Sequence, residues 1–169
     1  NDINGLRCPA AAQVVIEHQV PVCIMHMKGH PQTMQDMVNP QEYMVSTVQH
    51  FFQERIQTLV DAGLLFENLI LDPGIGFGKT VQQNLNLIQH LETYLSFKCP
   101  ILLGVSRKSV VGYVLNRPVH QRLAGSLSLN VIGYLNGARI FRTHDVQATM
   151  DAVNMANQYL LVERFEENL

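Results

Sequence analysis

Residues 69–79 read Leu69-Ile70-Leu71-Asp72-Pro73-Gly74-Ile75-Gly76-Phe77-Gly78-Lys79. Three apolar residues without polar alternation predict a short strand buried on both faces, the habit of strands in parallel sheets. Asp-Pro-Gly then ends the strand as turn chemistry. The glycines at 74, 76 and 78 leave the next stretch of backbone free to bend closely over a ligand.

Outward from this segment the same pattern repeats. Val22-Cys23-Ile24-Met25 lies upstream, Ile101-Leu102-Leu103 follows Pro100, and Ala138-Arg139-Ile140-Phe141 comes last. Amphipathic stretches separate these runs. A helix is predicted from Glu42 to Ala62, with Val45, Val48, Phe52, Ile56, Leu59 and Val60 on one face. Asn39-Pro40 is its start signal and Gly63 its stop. Further helices are predicted over Gln83 to Leu95, from Ser106 or Arg107 for a short run, over Gln121 to Leu135, and over Val146 to Glu163. Strand then helix, four times in 169 residues, predicts one α/β domain over residues 1–169 with a parallel sheet flanked by helices. A doubly wound open sheet and a TIM barrel both satisfy that order. A complete barrel takes about 250 residues, so four units are half of one.

Composition bounds the function. Hydrophobic residues make up 47% and charged residues 15%, with a net charge of −2. That balance is globular and does not suit an electrostatic nucleic-acid binder. No apolar run approaches the roughly 18 residues of a membrane span, and the polar start carries no signal-peptide pattern. Cys8, Cys23 and Cys99 are an odd number without CxxC spacing, the usage expected of reduced thiols in a cytoplasmic protein rather than of a zinc site.

The informative polar residues stand where each strand ends. The first strand gives Met25-His26-Met27, the second Asp72-Pro73-Gly74, the third Ser106-Arg107-Lys108, and the fourth Arg142-Thr143-His144-Asp145. Strand C-termini of a parallel sheet open on one face, so these groups are expected to share one mouth. Asp72 offers two oxygens to paired N–H donors of a flat heterocycle, or else merely caps its loop. Lys108 in a first helical turn opposes the helix dipole, which suits a ligand-facing role better than a stability role. Arg142 and His144, two apart on an extended strand end, point the same way and suit phosphate oxygens. His26 reads more simply as a packing residue than as a catalyst, and Met27 is placed to pack on an aromatic ring.

Two motif matches fail by one residue each. Gly78-Lys79-Thr80 would close a phosphate loop if glycine stood at Pro73. A dinucleotide fingerprint would need glycine at Lys79.

Taken together, Asn1-Asp2, Met25 through Pro31, Leu71 through Lys79, Gly104 through Ser109 and Arg142 through Asp145 resemble the dihydropteroate synthases, in order and in spacing. The resemblance covers essentially the whole chain. It implies a (β/α)8 TIM barrel of which these residues supply roughly strands five to eight. It implies that Asn1, Asp72 and Lys108 contact a pterin, with Met27, Phe77 and Gly104 lining the pocket. Ser106 and Arg107 would lie towards p-aminobenzoate, and Arg142 and His144, near Asn1, would hold the diphosphate. Asp72, Lys108, Arg142 and His144 would be the catalytic set. Magnesium would accompany the diphosphate, its protein ligand lying outside these residues. A homodimer is also implied, through the apolar helix carrying Leu123, Leu127, Leu129, Val131 and Leu135.

The first half of such a barrel has no counterpart here, so a lone chain of these residues is expected to leave the barrel unclosed and inactive. A methyltetrahydrofolate–corrinoid methyltransferase would share the pterin acid but has no use for Arg142 and His144. A non-catalytic pterin-binding domain is the alternative of a different class.

Overall fold

Every apolar run forms a strand in the computed structural model, which describes residues 1–166 and side chains through Val162. The strands are β1 (Val22–Met25), β2 (Leu69–Asp72), β3 (Ile101–Leu103) and β4 (Ala138–Phe141). All pair in parallel, in the spatial order β1-β2-β3-β4, with Val22 opposite Leu69 and Met25 opposite Asp72. That order decides between the two architectures. A doubly wound sheet reverses direction at a switch point, whereas sequential neighbours throughout are what a barrel wall requires. Asp2 adds a parallel bridge to Ile24 on the outer side of β1.

The helices are α1 (Pro9–His18), α2 (Met44–Asp61), α3 (Val81–Gln89), α4 (Ser109–Leu115), α5 (Leu123–Leu135) and α6 (Val146–Glu166). Alternation along the strands divides the two faces of the sheet. Val22, Ile24, Leu69, Leu71, Ile101 and Leu103 join one core cluster with Val48, Phe52, Leu59, Leu87 and Ile88 of the helices. Cys23, Ile70 and Leu102 fall on the opposite face, the one a barrel turns inward. Asp72, two residues after Ile70, shares that inward face.

Several boundaries differ from expectation for identifiable reasons. α1 was not expected. Pro9 occupies its first turn, where a missing N–H costs nothing, and Gln19 ends it at φ 47°. It lays Ala11, Ala12, Val15 and Ile16 on the core. α3 starts earlier than Gln83 because Thr80 caps it. The Thr80 hydroxyl accepts from the Gln83 N–H, and the Gln83 side chain accepts in return from the Thr80 N–H. The expected continuation to Leu95 is broken at His90 and resumes as a 3₁₀ stretch over Leu91–Phe97. The fully buried Leu91 and Tyr94 hold that stretch down, the Tyr94 hydroxyl bonding the Val45 carbonyl at 3.1 Å. Lys108 is the N-cap of α4, not part of its first turn.

Candidate functional site

Beyond the ends of β2, β3 and β4 lies a cavity of about 240 Å³ lined by Asp72, Phe77, Gly104, Ser106, Lys108, Arg142, Thr143 and His144. Of the residues expected at the mouth, seven therefore do converge. The other three do not line it. Asn1 is exposed beside β1. Met27 is fully buried under the strand end. Arg107, at φ 57°, turns into a two-point pair with Asp145, Nε to Oδ2 at 3.0 Å and Nη2 to Oδ1 at 2.5 Å. That partner draws the guanidinium away from the cavity and lowers the Asp145 carboxyl below its ordinary range.

The glycine loop supplies the floor. Asp72 is buried, and its Oδ1 accepts the Gly74 N–H at 2.8 Å. Gly74 sits at φ 70°, and a Cβ there would stand 1.9 Å from the His26 carbonyl oxygen, so no other residue fits. Gly76 is held by Asn84 of α3, whose side-chain oxygen accepts its N–H at 2.7 Å. Burial raises the Asp72 carboxyl, while the Gly74 bond and then Lys108, Lys79 and Arg142 pull it back down.

Lys108 reaches back from the start of α4 over this floor. Its ammonium donates to the Ile75 carbonyl and stands 4.8 Å from the centre of the Phe77 ring, a cation–π distance. Burial pushes it down to about 8, with Asp72 opposing and Arg142 adding to the fall. Across the mouth, His144 Nδ1 lies 2.9 Å from the Ser106 hydroxyl, which also accepts the His144 N–H at 3.2 Å. When the Ser106 O–H donates to Nδ1, the Nε2–H of His144 is left for a ligand. Arg142 and His144 are both exposed.

Two buried groups here were not singled out as site residues or were read differently. His26, expected as a packing residue, is one: its ring meets Phe51 edge-on at 5.1 Å, and its Nδ1 has no hydrogen-bond partner among the described residues. Burial pushes it down to about 2. Lys79 is the other. It is buried and donates to the carbonyl oxygens of His26 at 3.2 Å, Gly74 at 2.8 Å and Phe77 at 3.0 Å. Burial pushes it down to about 7, with Asp72 the main opposing influence. A buried lysine was foreshadowed only by its place in a glycine-rich turn between a strand and a helix.

The described residues do not make a resident site for a divalent cation. Among the described residues no three His, Cys, Asp or Glu side chains are grouped to hold a metal. The carboxylate of Asp72 is surrounded by cationic side chains.

Comparison with known proteins places this geometry. Residues 1–144 match the family described as pterin binding enzyme. The dihydropteroate synthase of Haemophilus influenzae is 46% identical over 156 residues, covering 92% of this chain. A crystal structure of the Yersinia pestis dihydropteroate synthase with a sulfonamide drug complex superimposes with a TM-score of 0.91 at 40% identity, over 96% of this chain and 59% of that one. The Xanthomonas albilineans dihydropteroate synthase with 4-aminobenzoic acid gives 0.87 at 35% identity, over 95% and 56%. The chain spans 56% of the length of the Haemophilus relative, and its four strands correspond to part of the barrel in these structures. The sheet order, the cavity at the strand ends and the match over residues 1–144 agree: the chain belongs to the pterin-binding enzyme family.

Proposed function

We propose that the chain contributes the pterin and diphosphate sites of a dihydropteroate synthase, condensing a 7,8-dihydropterin-6-ylmethyl diphosphate with p-aminobenzoate. The observation that carries this reading is the pairing, within one cavity, of a buried carboxylate with an exposed Arg-His pair. The carboxylate suits the flat N–H donors of a pterin. The exposed pair suits an anion that must leave.

The amine nitrogen forms a bond to the pterin methylene carbon. The carbon–oxygen bond to the diphosphate breaks, its electron pair leaving on oxygen, and the amine proton passes to solvent. Positive charge gathers on the pterin as the diphosphate departs. Asp72 is placed to stabilise that charge, and Arg142 with the His144 Nε2–H to stabilise the leaving anion. Phe77 and Lys108 cover the pterin face, and Gly104 leaves room beside it. Asn1 belongs to the same proposal, as a contact to the pterin and the diphosphate. Ser106 orients His144 and borders the space for p-aminobenzoate. Magnesium would travel with the diphosphate, held by groups outside these residues, and no step here depends on it.

The same proposal includes a cytoplasmic homodimer. The three cysteines are free, as in a reducing compartment. No helix is long and apolar enough to cross a membrane among the described residues. On α5, Leu123, Ile132 and Leu135 are exposed. Beside them an apolar groove of about 310 Å³ runs between α4 and α5, lined by Val110, Val111, Val114, Leu115, Gly125 and Leu129 among others. A helix apolar on several sides needs cover on several sides. Light scattering of the full-length gene product at micromolar concentration is expected to give twice the chain mass, and a monomer would reject the dimer.

The activity is tested on the same material by pyrophosphate release from the pterin diphosphate. Release that depends on added p-aminobenzoate is expected. Pterin binding without release would leave only a binding domain, and transfer of a methyl group from methyltetrahydrofolate to a corrinoid would replace the reading altogether.

A further inference from the structure

Lys79 has no place in the chemistry above, does not line the cavity, and is nevertheless only 6% exposed. Buried lysines need a reason, because each ammonium loses its hydration. The reason is visible in its three partners, the main-chain oxygens of His26, Gly74 and Phe77. All three only accept. A neutral amine has two N–H donors and an ammonium three, so this cradle fits the protonated form.

Two of the three partners are the residues that hold Asp72. The Gly74 N–H bonds the Asp72 carboxylate at 2.8 Å. The His26 N–H bonds the Asp72 main-chain oxygen at 3.0 Å. Lys79 therefore grips, by their carbonyls, the same two residues that grip Asp72 by their N–H groups. The main chain of Lys79 is itself tied down, its carbonyl accepting from the Asn84 side chain at 3.3 Å next to the Thr80–Gln83 cap. The rigid start of α3 thus reaches, through one side chain, the ends of both β1 and β2.

We propose that Lys79 is a positioning residue that fixes the Asp72 carboxylate for the pterin ring, acting through His26 and Gly74 without touching the ligand. The inference rests on the pterin reading of Asp72 given above. A carboxylate must be held within a fraction of an ångström to accept two parallel hydrogen bonds, and a flexible glycine loop cannot do this unaided. A purely fold-supporting lysine would make a different prediction, because its loss would weaken all ligands alike.

The test uses the full-length gene product with two probes, 6-hydroxymethylpterin without phosphates and inorganic pyrophosphate, each titrated by calorimetry. Lys79→Met keeps the length of the side chain and removes its donors. It is expected to weaken the pterin by about tenfold or more, equivalent to about 1.4 kcal/mol, and to leave pyrophosphate within about twofold. Lys79→Gln, with two N–H donors, is expected between the wild type and Lys79→Met. Equal losses for both probes, or pterin binding unchanged within about threefold, would overturn the proposal. So would failure of both variants to fold, which would assign Lys79 to the fold. A wild-type protein that does not bind the pterin at all would instead remove the pterin reading. The cradle is then judged by itself: nitrogen-15 lysine spectra of the wild type at about pH 5, well below the value of about 7 to which burial pushes Lys79, should show a slowly exchanging ammonium that is absent from Lys79→Gln. No such signal would overturn the cradle whatever the ligand.

Discussion

The two sides of the mouth are built on opposite plans. On the β1–β2 side, Asp72, Lys79 and His26 are each at most 6% exposed, and the loop between them is pinned by main-chain hydrogen bonds. On the β3–β4 side, Arg142 and His144 are exposed and reach the cavity from the strand end. The difference follows the chemistry each side is proposed to meet. Reading a neutral heterocycle needs preorganised hydrogen bonds in a dry pocket, where a misplaced acceptor is costly. Binding a multiply charged anion needs cations that stay hydrated until it arrives and release it afterwards. The contrast is open to attack from either side.

The largest expected effect is at Asp72. Asp72→Asn turns one acceptor into a donor that would face the donors of the proposed pterin. Losing a charged hydrogen bond in the dry half of the mouth should cost on the order of 2–4 kcal/mol of pterin binding. Calorimetry with the phosphate-free pterin reads this directly. An unchanged affinity would remove Asp72 from the pterin site and erase the proposed division between the two sides.

How much of this was readable beforehand follows from the range of each interaction. The strands were legible because burial on both faces leaves an unbroken apolar run, and the mouth because parallel strands end on one face. Asp72, Lys108, Arg142 and His144 could thus be grouped without coordinates. The pairing that matters for Arg107 could not, since Asp145 lies 38 positions away and only the fold brings the two together. Lys79 and His26 are 53 positions apart, and no local pattern announces a side chain that bonds distant main-chain oxygens. α1 escaped for another reason. It rests Ala11, Ala12, Val15 and Ile16 on the core and buries none of them fully, so its apolar stripe is faint. Sheet order was likewise beyond periodicity, because barrel and open sheet share one strand–helix rhythm.

The second effect tests how dry the β1 side is. His26, at about 2 in the folded protein against 6.5 when unfolded, is neutral in the fold across the whole interval. The unfolded chain binds the extra proton there, so stability contributed by the neutral ring is present above about 6.5 and falls as the pH drops below it. The slope is at most about 1.4 kcal/mol per pH unit, so pH 5 should cost about 2 kcal/mol relative to pH 6.5. Asp72, raised by burial, works in the opposite direction at lower pH, so the comparison must be between proteins. Urea unfolding of wild type and His26→Gln at both pH values isolates the ring. The variant should lose most of the acid sensitivity, and equal slopes would mean that water reaches His26.

The smallest effect lies on the exposed side and distinguishes Arg142 from Lys108. Arg142 is solvated, so its contact with a phosphate is screened, and Arg142→Ala should cost about 1 kcal/mol of diphosphate binding. Binding of the phosphate-free pterin should hardly change, because Arg142 influences Asp72 only as the last and weakest of the groups lowering its carboxyl. Lys108 bonds the Ile75 carbonyl, lies over Phe77 and is the cation that lowers the Asp72 carboxyl most. Lys108→Ala should therefore weaken the diphosphate and the bare pterin together. Raising the salt should shrink the Arg142 effect, since exposed charges lose their interaction within a Debye length of about 8–10 Å, and leave the Lys108 effect nearly unchanged. Equal losses of both ligands in Arg142→Ala would assign Arg142 to the wall of the cavity. A salt-insensitive loss would mean that the bound anion closes Arg142 off from water, so that the open side becomes as dry as the other once it is occupied.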